Sequence, residues 1–235
     1  IACSYSGNTE EAVEALGKAE AKGANIVVIA AGGKLAEIAK AKNYPLAQVP
    51  DNYQPRYAVL YMFRALVTVL ERAGLVEGEE EGLRAALEII KQSVKDWRPD
   101  VPTSNNQAKA LALELAGKSV VIYSGPKLFP AAYKWKISIN ENAKNLAWCN
   151  QLPEFNHNEF IGWTSHPVDK PYAVVQLMSS LEHPRIAKRF EVTNKILSGR
   201  WPQPHIVEAQ GNLIVEQLLW TLALGDHVSL YMAML

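Results

Sequence analysis

The chain begins with an apolar run, Ile1-Ala2-Cys3, that feeds directly into Ser4-Tyr5-Ser6-Gly7-Asn8-Thr9 and then into Glu10-Glu11 and an amphipathic stretch reaching about Gly23. A strand ending in a hydroxyl-rich turn that opens a helix is the unit from which open α/β sheets are built. The cycle continues. Ala24-Asn25-Ile26-Val27-Val28-Ile29-Ala30 is a β-branched run bounded by glycines, which predicts a buried parallel strand. Lys34 to Lys42 predicts a short helix, and Leu46 to Pro50 a short strand ended by proline. The expected fold class is therefore α/β. In such sheets ligands bind beyond the carboxyl ends of the strands, where Ser4 to Thr9 falls.

That turn suits an anion. Backbone N–H groups at a helix start carry partial positive charge, and Ser4, Ser6 and Thr9 add hydroxyl donors without any lysine. Gly7 is expected to let the backbone approach the anion closely. A plainer reading is also open: Asn8 or Thr9 caps the helix, and Glu10 and Glu11 favour its dipole.

Further along, Asp51 to Arg56 reads as a turn into a long apolar helix, Tyr57 to about Arg72. Arg56 lies at that helix start, where a cation opposes the dipole; it is either a functional charge or a surface arginine. Glu77 to Glu81 reads as an acidic turn and Leu83 to Val94 as an amphipathic helix. The Pro-rich stretch Asp96 to Asn106 reads as a connection, followed by a helix to Ala116. Ser119 to Ser124 then starts a second α/β cycle: a helical region from about Leu128 to Cys149, a polar loop from Glu154 to Trp163, a strand from Tyr172 to Met178, a helix from Pro184 to Leu197, a strand from His205 to Glu208, and an apolar helix from Asn212. Two sheets are expected rather than one. The divisions are 1–96 for the first domain, 97–118 for connection and helix, and 119–235 for the second domain. The second half has Ser124-Gly125-Pro126-Lys127 in place of the hydroxyl turn, so one phosphate site is expected, in the first half.

Composition narrows the function. Of 235 residues, 49% are hydrophobic and 20% charged, with 24 basic against 24 acidic residues. A net charge of zero gives no electrostatic pull toward nucleic acid or an anionic membrane, so an anion must be caught locally. No apolar run reaches the length of a membrane span. Cys3 and Cys149 show no metal or redox spacing and read as reduced thiols of a cytoplasmic protein. The five histidines show no zinc-ligand spacing, and His166 and His183, each followed by proline, read as turn residues. Because the chain opens inside a strand and ends on an apolar helical pattern without a stop, both ends are expected to continue.

Two more stretches carry chemistry. Ile139-Asn140-Glu141-Asn142-Ala143-Lys144 places a carboxylate between two amides, either an ordinary surface glutamate or a general base held in a cleft. Pro153 to Phe160 holds His157 among polar neighbours, either solvated or poised for proton exchange near neutral pH.

The string S-Y-S-G-N-T-E-E resembles the phosphosugar-binding loop of sugar isomerase (SIS) domains. N-E-N-A-K, with the Asn-His-Asn loop sixteen residues later and the tail Trp220 to Tyr231, is similar to the bifunctional phosphoglucose/phosphomannose isomerases, a branch of the phosphoglucose isomerase superfamily. The resemblance covers nearly the whole chain, and the second pair of motifs is much the narrower. It implies two SIS-type subdomains and an aldose–ketose isomerase that converts glucose 6-phosphate or mannose 6-phosphate to fructose 6-phosphate with no metal or cofactor. Glu141 would move a proton between C1 and C2 through a cis-enediol(ate), and Arg56 would stabilise its charge. His157 would assist ring opening from the partner subunit of a homodimer. Ser4, Ser6 and Thr9 would hold the 6-phosphate. The family also has a catalytic lysine after the last long helix, beyond Leu235, and part of its phosphate site comes from an earlier loop, before Ile1. Two alternatives stay open: an aminosugar-phosphate isomerase, and a non-catalytic phosphosugar sensor in which Glu141 is idle.

Overall fold

A computed structural model describes residues 1–164 and 171–235; the reading of His166 as a turn residue lies outside them. The chain divides into two compact units, Ile1–Glu79 and Glu80–Leu235.

The first unit holds three parallel strands, β1 (Ala2–Cys3), β2 (Val28–Ala30) and β3 (Leu46–Gln48), in the order β1-β2-β3. β2 lies between two partners and is buried throughout, which is why its sequence is an unbroken apolar run. Its side chains divide by the period of two. Val28 and Ala30 meet Leu16 of α1 (Glu10–Ala21) and Leu35 and Ala39 of α2 (Gly33–Lys42). Ile29 and Ala31 meet Met62, Ala65, Leu66 and Val69 of α3 (Val59–Arg72) on the opposite face.

The second unit opens with α4 (Glu79–Asp96) and α5 (Gln107–Leu115). It then alternates β4 (Ser119–Ser124), α6 (Phe129–Asn142), β5 (Ala147–Gln151), α7 (Glu154–His157), α8 (Glu159–Gly162), β6 (Tyr172–Met178), α9 (Pro184–Ile196), β7 (His205–Glu208) and α10 (Ile214–Met232). Its sheet runs β5-β4-β6-β7 with every neighbouring pair parallel. Val120 and Ile122 of β4 point into a core built with α5, α6 and α10, around Trp135, Ile139, Trp220 and Leu224. Val121 and Tyr123 point the other way, toward Phe155, Trp163, Phe190, Leu197 and Trp201. The α/β class expected from the sequence is thus present as two parallel sheets flanked by helices.

Several local expectations need correction. The helix expected to run to Cys149 stops at Asn142, and Ala147–Gln151 is a strand. Lys144 turns the chain through the left-handed region at φ 54°, and Asn140 Oδ1 accepts from Ala147 N at 2.9 Å to start β5. β5 is an edge strand with Trp148 47% exposed, so it lacks the continuous apolar run that marks buried strands. The expected polar loop Glu154–Trp163 is two one-turn helices anchored by buried Phe155 and Trp163. Of the acidic turn expected at Glu77 to Glu81, the part from Glu79 onward is the first turn of α4, where carboxylates favour the helix dipole. Gly82 stays in that helix because it packs under Val215.

In the second unit Trp135 of α6 packs over Gly225 of α10. Trp135 is fully buried and its Nε1 donates to Thr221 O at 2.7 Å. A Cβ at position 225 would stand 2.2 Å from Trp135 Nε1. Gly225→Ala gains about 1 kcal/mol of helix propensity. It should nevertheless destabilise the chain by about 2 kcal/mol net, because an indole in a filled core has nowhere to move. A urea-denaturation midpoint at or above wild type would contradict this packing.

Candidate functional site

In the first unit the chain leaves β1 and turns sharply at Gly7, with φ +69°. Gly7 is buried, and a Cβ there would lie 1.8 Å from Gly32 O. Facing it, Gly33 has φ +68°, and its own Cβ would lie 2.3 Å from Ser6 O. Leu35 N donates to Gly7 O at 2.9 Å, and Lys34 N donates to Asn8 Oδ1 at 3.0 Å. The sequence reading gave Gly7 the task of approaching an anion. The structure gives it a different one: it lets the first turn lie directly against the turn after β2.

The hydroxyls face outward from this double-glycine contact. Ser4 Oγ and Thr9 Oγ1 share a hydrogen bond of 2.8 Å. Ser4 Oγ accepts from Gly7 N, and Ser6 Oγ accepts from Asn8 N, each at 3.2 Å. Thr9 stands at the N-cap of α1 but makes no side-chain capping bond. Asn8 does not cap either, since its oxygen is held by Lys34 N. The helix start is therefore left to whatever the exposed Ser6 and Thr9 surround. Tyr53 N donates to Tyr5 Oη at 3.0 Å, tying this turn to the segment carrying Arg56. Arg56 sits in a single 3-10 turn, Pro55–Tyr57, just before α3, with its guanidinium 5.1 Å from the Tyr57 ring centroid. Hydroxyl turn and arginine thus follow β1 and β3 at the same end of one sheet.

In the second unit the corresponding turn after β4 is already filled. Glu182 Oε2 accepts from Lys127 N at 3.2 Å, and a Cβ on Gly125 would lie 2.2 Å from the same oxygen. A carboxylate of the chain occupies the place where a bound anion would sit.

Glu141 is exposed in the last turn of α6, and Lys144 Nζ donates to its carbonyl at 2.6 Å. The flanking amides are committed elsewhere: Asn140 to the start of β5, and Asn142 Nδ2 to Ser229 Oγ of α10 at 2.9 Å. His157 is exposed at the end of α7. α6 belongs to one face of the second sheet, through Trp135 and Ile139, and α7 to the other, through Phe155. Glu141 and His157 of one chain are therefore on opposite sides of a sheet.

Sequence reasoning missed two polar clusters. Lys134, Ser138 and Asp226 meet between α6 and α10. Around Tyr123, the phenol Oη donates to Glu159 Oε2 at 2.9 Å and accepts from Trp163 Nε1 at 3.0 Å. Burial and the Glu159 carboxylate push the Tyr123 phenol well above its usual range, so it remains a donor. Neither cluster has a spacing that marks it in the sequence, because each joins residues from separate elements. Among the described residues no group of three or more His, Cys, Asp or Glu is placed to hold a metal ion, and no helix is long and apolar enough to cross a membrane.

Two parallel α/β sheets, the first ending in an open hydroxyl turn, define a SIS-type protein. Comparison with known proteins agrees. Residues 104–235 match the family described as bacterial phospho-glucose isomerase C-terminal SIS domain. The bifunctional phosphoglucose/phosphomannose isomerase of Caldicellulosiruptor bescii is 35% identical over 238 residues, covering 100% of this chain and 70% of that protein. The D-glucosamine-6-phosphate 4-epimerase of Sulfolobus acidocaldarius is 36% identical over 160 residues, 68% of this chain and 49% of that one. The crystal structure of tagatose-6-phosphate ketose/aldose isomerase from Escherichia coli aligns with TM-score 0.72 at 18% identity, over 100% of this chain and 67% of that one, a likeness of fold. The chain belongs to the bifunctional phosphoglucose/phosphomannose isomerase family.

Gly7→Ala tests the turn. The left-handed φ and the overlap with a backbone carbonyl together should cost roughly 3 kcal/mol or more. Amide-exchange protection should fall in residues 1–79 and persist in 80–235. Unchanged protection in the first unit would contradict the double-glycine contact.

Proposed function

We propose that this protein is an aldose–ketose isomerase interconverting glucose 6-phosphate or mannose 6-phosphate with fructose 6-phosphate. The hydroxyls of half-buried Ser4 and exposed Ser6 and Thr9, with the α1 start behind them, hold the 6-phosphate. Binding energy from the phosphate, remote from the reacting carbons, then positions C1 and C2. Glu141 takes the proton from one carbon and returns it to the other. Negative charge developing on the enediolate oxygens is met by the Arg56 guanidinium. His157 moves a proton at the ring oxygen so that the sugar opens before isomerising.

The observation that carries this reading furthest is the placement of Glu141 and His157 on opposite faces of one sheet. A site that uses both draws them from two chains, which supports a homodimer with His157 reaching the partner's site. The Glu182 carboxylate in the turn after β4 supports a single phosphate site per chain, at Ser4–Thr9.

The identity with a protein named D-glucosamine-6-phosphate 4-epimerase favours a second reading, in which the same frame handles an aminosugar phosphate. Fructose 6-phosphate formation from the two aldose 6-phosphates, with consumption of glucosamine 6-phosphate followed in parallel, by the full-length protein in chelator, separates the two. Turnover of both glucose 6-phosphate and mannose 6-phosphate is expected. Turnover of glucosamine 6-phosphate alone would reverse the assignment, and binding without turnover would leave a sensor. Glu141→Gln should lower kcat about 10²–10⁴-fold while the sugar phosphate still binds.

Mixing tests the shared site. Glu141→Gln and His157→Ala homodimers are each expected to be nearly inactive. Subunit exchange between them builds one intact site in each mixed dimer, so about a quarter of wild-type activity should return at equal mixing. No recovery after verified exchange would place both residues in one chain's site.

A further inference from the structure

A row of polar side chains crosses the contact between α6 and α10. On α6 they are Lys134, Ser138 and Asn142, spaced four apart along one stripe; on α10 they are Asp226 and Ser229. Lys134 is 7% exposed, and Ser138 and Ser229 are fully buried. The Lys134 ammonium pairs with Asp226 Oδ1 and also donates to Ser138 Oγ at 2.6 Å. Ser138 Oγ donates to the same Asp226 oxygen at 2.7 Å. One turn further on, Ser229 Oγ donates to Asp226 O at 2.8 Å and accepts from Asn142 Nδ2 at 2.9 Å. Asn142 adjoins Glu141.

An ion pair between a buried lysine and a half-buried aspartate is a poor device for stability, because desolvation of the charges offsets their attraction. Its distinctive effect here is on register. A slip of one residue turns a helix by about 100°. That would leave the Lys134 charge buried without its partner, so only one alignment of α6 on α10 satisfies the whole row. The row ends beside the one acidic side chain in the last turn of α6.

We propose that Asp226 and Ser229 are positioning residues for Glu141: they fix the rotation and height of the last α6 turn and so the direction in which it presents that carboxylate. This rests on the reading of Glu141 as the base. A displacement of about 1 Å at a reacting group costs on the order of 10²-fold in rate. A partial loosening should therefore be visible in kcat before it is visible in binding.

The test uses the full-length protein and steady-state conversion of glucose 6-phosphate. Ser229→Ala removes the acceptor for Asn142. The paired variant Lys134→Met with Asp226→Leu removes the charges together and keeps apolar volume, so no lone buried charge is left. Each should lower kcat about tenfold or more, with KM within about twofold and melting temperature and dimer retained. If the paired variant does not fold, Ser229→Ala alone carries the test. A kcat within twofold of wild type in the folded variants overturns the proposal, as does a fall in kcat matched by loss of folded dimer. Glu141→Gln, assayed alongside, reads the base assignment separately. Retained turnover there sinks that assignment, whereas its loss with normal Ser229→Ala and paired variants sinks only the positioning role.

Discussion

The seating of α6 on α10 is the contact on which the second unit depends. Gly225 opens the space, the Trp135 indole fills it and donates to Thr221 O, and the Lys134–Asp226 pair closes the row. Dispersion over a fully buried indole supplies the attraction, and the polar row supplies the direction. The same two helices cover one face of the sheet through Ile139, Trp220 and Leu224. Whatever fixes their register also fixes the end of α6, and with it Glu141.

The first unit solves a different problem by a related means. Its turn must be tight and yet leave hydroxyls facing outward. Two glycines in left-handed conformation, Gly7 and Gly33, let two successive strand-to-helix turns lie back to back. Backbone bonds from Lys34 and Leu35 take up the inner acceptors, so Ser6 and Thr9 remain on the outside. The second unit begins from the same strand-turn-helix plan and closes it with Glu182. One plan thus gives an open, hydroxyl-rich turn in one unit and, with Gly125-Pro126-Lys127 and the Glu182 carboxylate, a self-filled turn in the other.

Much of the frame was legible in the chain. β2, β4 and β6 are central strands with both faces covered, so their sequences are apolar runs that announce themselves. β5 escaped because an edge strand needs no such run, and because a lysine, not a glycine, takes the left-handed turn before it. The one-turn helices around Phe155 were hidden for a similar reason: a four-residue helix is too short to show a period. Among the candidate site residues, the hydroxyl turn, Arg56, Glu141 and His157 stood out as local strings. Their partners did not: Asn140 and Asn142 flank Glu141 in sequence but spend their side chains on Ala147 and Ser229.

The sequence by itself determined the α/β class, the alternation of its main elements and the residue types available for phosphate and proton chemistry. Hydrophobic period and turn chemistry are properties of neighbouring residues and can be read along the chain. Tertiary structure alone decided which face each helix covers, and hence that Glu141 and His157 lie on opposite sides of a sheet. It also decided that Gly7 answers to Gly32, and that Asp226 answers to a lysine ninety-two residues earlier. These are contacts between distant segments. They are set by packing and by the cost of leaving buried charges and amides unpaired, neither of which has a spacing that a sequence can display.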